Sequence, residues 1–137
     1  MTPDQLADIC ARAYRHMQPW TAAQFADTLA LPRAVLTQTD HAFVLGQVVA
    51  DEAEILALAA DPNHQRSGQA SAALALFHEA ARTRGAMQVF LEVAVTNAPA
   101  IHFYSRQGYV QTGRRRGYYA SLGGARVDAV IMSRALP

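Results

Sequence analysis

Apolar and polar positions alternate along this chain with two different periods, and the switch between them marks its elements. Leu6, Ile9, Cys10 and Ala13 recur at helical spacing behind Thr2-Pro3-Asp4, which predicts a first helix. Pro19 disfavours helix at Gln18 and breaks the pattern between His16 and Trp20. Thr21 followed by Gln24 has the spacing of a capping box, and Ala22, Phe25, Ala26 and Leu29 share one side of the helix it opens. Pro32 ends that helix. The period then shortens. Ala34 to Gln38, Ala42 to Val49 and Glu54 to Ala60 read as three strands, separated by polar turns at Thr39-Asp40-His41 and Asp51-Glu52. Asp61-Pro62-Asn63 stops the third.

Beyond residue 64 helices and strands alternate. Ala70, Ala73, Leu74, Phe77 and Ala81 form a stripe over a helix spanning 69–84, and Gly85 follows as its stop. Val89, Leu91, Val93 and Val95 share one face of a strand from Met87 to Val95. Asn97 can cap the next helix, Pro99 sits in its first turn, and Gly108 ends it. Tyr109 to Gly113 begins another strand, a loop with three glycines follows, and Ala125 to Ser133 is the last strand. The sum is an α/β fold, a single domain over 1–137 with helices covering a mixed sheet.

Composition narrows the function. Twelve basic and 11 acidic residues leave a net charge of +1, which argues against bulk attachment to nucleic acid or an anionic membrane. All the basic residues are arginine, so lysine Schiff-base chemistry and a lysine-bearing triphosphate loop are excluded. Alanine contributes 28 residues, which implies a core of small side chains and close approaches. Cys10 is the sole cysteine, no internal disulfide can form, and no secretory leader or long apolar run is visible; a cytoplasmic protein is expected.

Between the third strand and the long helix lies Ala60-Asp61-Pro62-Asn63-His64-Gln65-Arg66-Ser67-Gly68-Gln69-Ala70. Gly68 and Ala70 keep side chains out of the loop, so backbone N–H groups from about Arg66 to Ala70 can point into one concavity. Helix N-termini carry unpaired N–H groups and favour anions, and Arg66 adds a fixed charge. The loop fits a phosphate, or it is an ordinary strand-to-helix connection. Neither Gly-Lys-Ser/Thr nor Gly-x-Gly-x-x-Gly is present. Glu92 stands opposite Val89, Leu91 and Val93 on its strand, beside Phe90. It is either a desolvated carboxylate with a raised pKa or a partly solvated one. Glu54 reads as a strand-start surface charge. The five histidines lack metal-ligand spacing, and single surface histidines are the expectation.

Gln65-x-x-Gly68-x-Ala70 resembles the acyl-CoA pyrophosphate signature of the GNAT acetyltransferase superfamily. The segment Phe90-Leu91-Glu92-Val93, then Asn97-Ala98-Pro99-Ala100-Ile101-His102-Phe103-Tyr104 and Gly108-Tyr109, is similar to that superfamily's following segment. Pro19-Trp20, Arg114-Arg115-Arg116-Gly117-Tyr118-Tyr119, Asp128-Ala129 and Ile131-Met132 resemble the bacterial ribosomal-protein-alanine N-acetyltransferases. The resemblance implies a GNAT fold: a mostly antiparallel mixed sheet of six to seven strands and about four helices. It implies acetyl-CoA held by Gln65, Arg66, Ser67, Gly68, Gln69 and Ala70, by Asn97 and Tyr104, and by a splayed, bulged strand near Leu58, Ala59 and Ala60. Glu92 matches the general base, with Glu54 as runner-up, and Tyr104 the acid for the thiolate. Trp20, Glu54, Tyr118 and Tyr119 would face the acceptor, with the Gly117–Gly124 loop closing over a peptide.

The implied acceptor is a protein N-terminal amine; a small amine or antibiotic is the alternative, and a catalytically silent acyl-CoA-binding module a third. A monomer or weak homodimer is expected, with no membrane or direct nucleic-acid partner. Ala120 departs from the subfamily, where proline commonly follows the tyrosines, and the stretch before Pro19 is short.

Overall fold

A computed structural model describes residues 1–64, 67–120 and 123–137. Two helices open the chain, α1 (Pro3–Ala13) and α2 (Ala22–Leu29), and both start in complete capping boxes. The side chains of Thr2 and Thr21 accept from the N–H groups of Gln5 and Gln24, whose amide oxygens accept in return from the two threonine N–H groups. Strands β1 (Ala34–Gln38), β2 (Ala42–Val49) and β3 (Glu52–Ala60) form an antiparallel meander. A 3-10 turn at Pro62–His64 leads to α3 (Gln69–Thr83), then β4 (Gln88–Ala94), α4 (Ala98–Arg106), β5 (Val110–Ala120) and β6 (Arg126–Ala135). The sheet order is β1-β2-β3-β4-β6-β5, and only β3 and β4 run parallel. Among the described residues no helix is long and apolar enough to cross a membrane.

Helices cover both faces. Leu6, Ile9, Cys10 and Phe25 of α1 and α2 pack on Phe43, Leu45, Ala57 and Ala59. On the other face Ala73, Leu74, Phe77 and Ala81 of α3, with Tyr104 of α4, pack on Val44, Ala53, Ile55, Val89, Leu91 and Val93. Burial of each Leu or Phe contributes roughly 1.5–3 kcal/mol. The alanines at 73 and 81 are wholly buried and let α3 lie close, close enough for the Thr37 hydroxyl to donate to the Ala73 carbonyl at 2.9 Å.

One irregularity organises the sheet. Leu45 pairs with Ala57 but Gly46 pairs with Ile55, so Leu56 is an extra residue on β3. A bulge of this kind reverses the side-chain alternation. Accordingly Ala53 and Ile55 enter the α3/α4 core, whereas Ala57 and Ala59 enter the α1/α2 core. The β3–β4 ladder stops at the same place, with Ile55 opposite Leu91.

Three expectations need correction. The bulge falls at Leu56, not among Leu58 to Ala60. The loop expected over Gly117–Gly124 does not begin at Gly117: Gly117 to Ala120 belong to β5, with Tyr119 in register with Val127. Two more residues sit on β5 than on β6 between Arg115 and Tyr119, and Gly117 takes up the slack at φ 56°. Its N–H donates to Asp128 Oδ1, and Arg126 Nε donates to its carbonyl. His78, finally, is buried rather than on the surface.

Candidate active site

Where β3 and β4 separate, a cleft of about 620 Å³ opens, running from the start of α3 past Leu56–Ala60 to Glu92 and Tyr119. The bulge turns Leu56 to Ala60 away from Glu92 to Ala94, so the facing strand edges keep their N–H and C=O groups free of each other. Such edges can bind an extended amide-containing chain as an added strand would. Leu58, Ala59 and Ala60 line this stretch, as expected.

At one end lies the N-terminus of α3. Gly68 caps it in the left-handed conformation at φ 79°, with no side-chain hydrogen bond to the first turn. The first intrahelical bond runs from Ala72 to the Gly68 carbonyl, leaving the N–H groups of Gln69, Ala70 and Ser71 outside the ladder. Among the described residues nothing lies within 4 Å of where a Gly68 Cβ would sit, and Gly68 to Ser71 line the cleft. This is a fit for a pyrophosphate. The Gln69 side chain is turned away and accepts from the His41 N–H, while Ser67 Oγ donates to the His64 carbonyl. Of these loop residues Gly68, Gln69 and Ala70 line the cleft and Ser67 does not. Gln65 and Arg66 lie outside the described residues.

Tyr104 and Asn97 border the middle of the cleft. Asn97 caps α4, its Oδ1 accepting from the Ala100 N–H at 3.2 Å. Burial holds the Tyr104 phenol well above its ordinary pKa, with Tyr109 and Tyr119 adding to the effect. At the far end Glu92 is 14% exposed. Its Oε1 accepts from Arg115 Nη1 at 2.8 Å, and its buried Oε2 has no hydrogen-bond partner among the described residues. The sequence reading leaves Glu92 as either a desolvated or a partly solvated carboxylate; the structure makes it largely buried and pairs it with a guanidinium. Tyr119 donates its hydroxyl to the Glu92 carbonyl at 2.9 Å, and burial with the nearby Glu92 pushes the phenol up to about 12.

Other expected acceptor-side residues are placed differently. Trp20 packs on Phe25 with ring centroids 5.1 Å apart and does not line the cleft. Glu54 is half-buried inside β3 rather than at its start, accepting from Gln47 Nε2 at 3.0 Å on the sheet face that carries Phe90. Tyr118 is exposed at the rim with Arg115 stacked 4.0 Å above its ring.

Sequence reasoning missed Tyr14, which lines the cleft beside Arg15, His16 and Met17. Burial raises its phenol strongly, and it contacts Cys10 and the Leu58 backbone across the splay. The signal was present as the four-residue step Leu6, Cys10, Tyr14, which carries the apolar stripe of α1 past its end. His41 and His64 stack at 3.5 Å beside Asp61, a grouping that spacing did not disclose. Both Asp61 oxygens accept from Arg12, which holds that carboxyl down to about 2 and leaves the trio without a free carboxylate.

Comparison with known proteins places the chain in a family. The profile of the acetyltransferase (GNAT) family matches residues 12–109. The ribosomal protein bS18-alanine N-acetyltransferase of Escherichia coli K12 is 38% identical over 126 residues, 89% of this chain and 83% of that protein. The crystal structure of the ribosomal-protein-S18-alanine N-acetyltransferase from Escherichia coli superposes with a TM-score of 0.84 at 34% identity, over 98% of this chain and 87% of that one. The streptothricin acetyltransferase of Streptomyces lavendulae is 34% identical over 76 residues, 56% of this chain and 40% of that protein. The chain therefore belongs to the GNAT acetyltransferase family and is an acetyl-CoA-dependent N-acetyltransferase.

Proposed function

We infer that the acceptor is the N-terminal α-amine of a protein, of the ribosomal-protein-alanine kind, and that the amine attacks the thioester directly within a ternary complex. One observation carries the mechanism: a single cleft joins the open N-terminus of α3 to Glu92, whose buried Oε2 has no hydrogen-bond partner among the described residues, with Tyr104 on the wall between. The identity to a bS18-alanine N-acetyltransferase over most of both chains supports the acceptor. A ribosomal acceptor and a lone cysteine suit a cytoplasmic protein.

The free N–H groups of Gln69, Ala70 and Ser71 hold the pyrophosphate, with Gly68 shaping the turn before them, and the edges of β3 and β4 hold the pantetheine amides. Bound acetyl-CoA supplies the activated acetyl group. Glu92 Oε2 accepts the proton that the acceptor ammonium must lose before its nitrogen can form the new bond to the acetyl carbon. As the carbon–sulfur bond breaks, Tyr104 donates its phenolic proton to the leaving sulfur. Burial keeps that phenol protonated, and the same low-polarity surroundings raise the proton affinity of a departing thiolate, so donor and acceptor stay matched. Tyr119 fixes the β4 backbone at Glu92, and Tyr118 forms the rim over which a peptide would enter.

Steady-state kinetics test these roles. Glu92→Gln and Tyr104→Phe should each lower kcat by about 10²–10⁴ while acetyl-CoA affinity measured by calorimetry stays within a few-fold. Normal turnover in either variant removes that residue from the mechanism. The likeness to a streptothricin acetyltransferase, over little more than half of this chain, supports a small amine as the second reading. Acetylation of small amines and of no peptide would favour it.

A further inference from the structure

We propose that Arg115 is a positioning residue for the acceptor half-reaction, holding the Glu92 carboxylate by Oε1 so that Oε2 alone faces the incoming amine. The inference rests on Glu92 being the base. Its geometry is independent of that assignment. Arg115 Nη1 lies 2.8 Å from Oε1, Glu92 is largely buried, and Oε2 is buried yet free of hydrogen bonds among the described residues. The guanidinium is itself fixed on two sides, by the carboxylate and by the Tyr118 ring 4.0 Å from Cζ. It stands at the last regular position of β5, opposite Ala129, where the bulge begins. Asp128 anchors that bulge through the Gly117 N–H and also accepts from Arg114. Arg115 thus takes its place from the backbone and a stacked ring, and passes that order to the base.

The charge has a second consequence. A cation beside Glu92 disfavours the ammonium form of an amine arriving at Oε2, which moves amine deprotonation to lower pH. Other titratable groups beside the pair are Glu54 on β3 and Tyr118 and Tyr119 on β5, while Arg114 and Asp128 alternate onto the opposite sheet face. Asp128 is engaged with Arg114 and Gly117, and Glu54 with Gln47. Arg115 is the one cation paired with Glu92 among the described residues.

The test compares Arg115→Gln and Arg115→Lys with the unaltered protein over a pH series with a peptide acceptor. The rising limb of kcat/KM should move to higher pH by about one unit in Arg115→Gln, and Arg115→Lys should restore its position even at a lower plateau. A merely structural role would depress kcat/KM at every pH and leave the limb in place; that result, or an equal shift in the lysine variant, overturns the proposal. A crystal structure of resting Arg115→Gln gives a readout without turnover: the Glu92 carboxylate should rotate from its place or take a second orientation, and an unmoved carboxylate overturns the proposal. Glu92→Gln separates the two ideas: full activity there defeats the base assignment, whereas loss of activity with an unshifted Arg115→Gln limb defeats only the role of Arg115.

Discussion

Gly46→Ala tests the link between core packing and the cleft. Gly46 lies on β2 opposite Ile55, next to the inserted Leu56, and has no room for a side chain. An added Cβ would stand 2.4 Å from the Glu54 carbonyl oxygen and 2.5 and 2.6 Å from Cζ and Cε1 of Phe77. Normal contacts lie near 3.5 Å, so relief needs a displacement of about 1 Å in one partner. Phe77 is wholly buried in the α3/α4 core, and the Glu54 carbonyl belongs to the backbone that forms the bulge. Overpacking of this kind costs about 1–3 kcal/mol, and a rigid backbone partner places it at the upper end. For a chain of this size about 3 kcal/mol corresponds to a Tm loss on the order of 10 °C. Because the backbone that must yield sets the β3–β4 splay, acetyl-CoA affinity should fall as well. Phe77→Leu in the Gly46→Ala background should recover part of the Tm, since it removes the ring but not the carbonyl clash. Thermal unfolding by circular dichroism and acetyl-CoA calorimetry read both effects. A Tm within about 2 °C of the parent would refute the packing argument.

Other expectations follow from single features. Gly68→Ala meets no atom but must adopt a left-handed backbone at a cost of about 1–2 kcal/mol, so acetyl-CoA KM should rise several-fold with kcat nearly unchanged, and Gly68→Asn should be milder. Burial, with Arg134 and Arg82 nearby, lowers the His78 pKa to about 4, while its ring bonds Tyr109 and Arg134. A depressed histidine contributes stability that is complete above the unfolded pKa near 6.5 and lost as pH falls through about 4. Urea denaturation should therefore show a loss of about 2 kcal/mol between pH 7 and 5, flattened in His78→Gln. Asp128→Ala frees the Gly117 N–H and Arg114, so acceptor KM should rise with acetyl-CoA KM unaltered.

Local chemistry announced itself well in this chain. The helix opening behind Thr2, the capping box at Thr21, the bounds of β1 and β2 and the α3 stripe coincide with the structure, because each is decided by neighbours a few residues apart. The glycine at 68 and the asparagine at 97 were readable for the same reason. Features set by distant partners were not. Leu56 is flanked by Ile55, Ala57 and Leu58, so no polar residue marks the point where the alternation reverses. The loop expected from Gly117 follows from the three glycines at 117, 123 and 124, yet Asp128 and Arg126 on the neighbouring strand hold Gly117 within β5. Arg115 reaches Glu92 across 23 positions, and His78 finds Tyr109 across 31. Those pairings depend on the β4-β6-β5 order, which periodicity does not encode.

The most direct test of the account is intact-mass analysis of an alanine-initiated peptide carrying the bS18 N-terminus, incubated with the protein and acetyl-CoA. The account predicts a gain of one acetyl group, located at the α-amine by fragmentation and lost when that amine is blocked beforehand. An unmodified peptide, in a preparation that acetylates small amines under the same conditions, would contradict it.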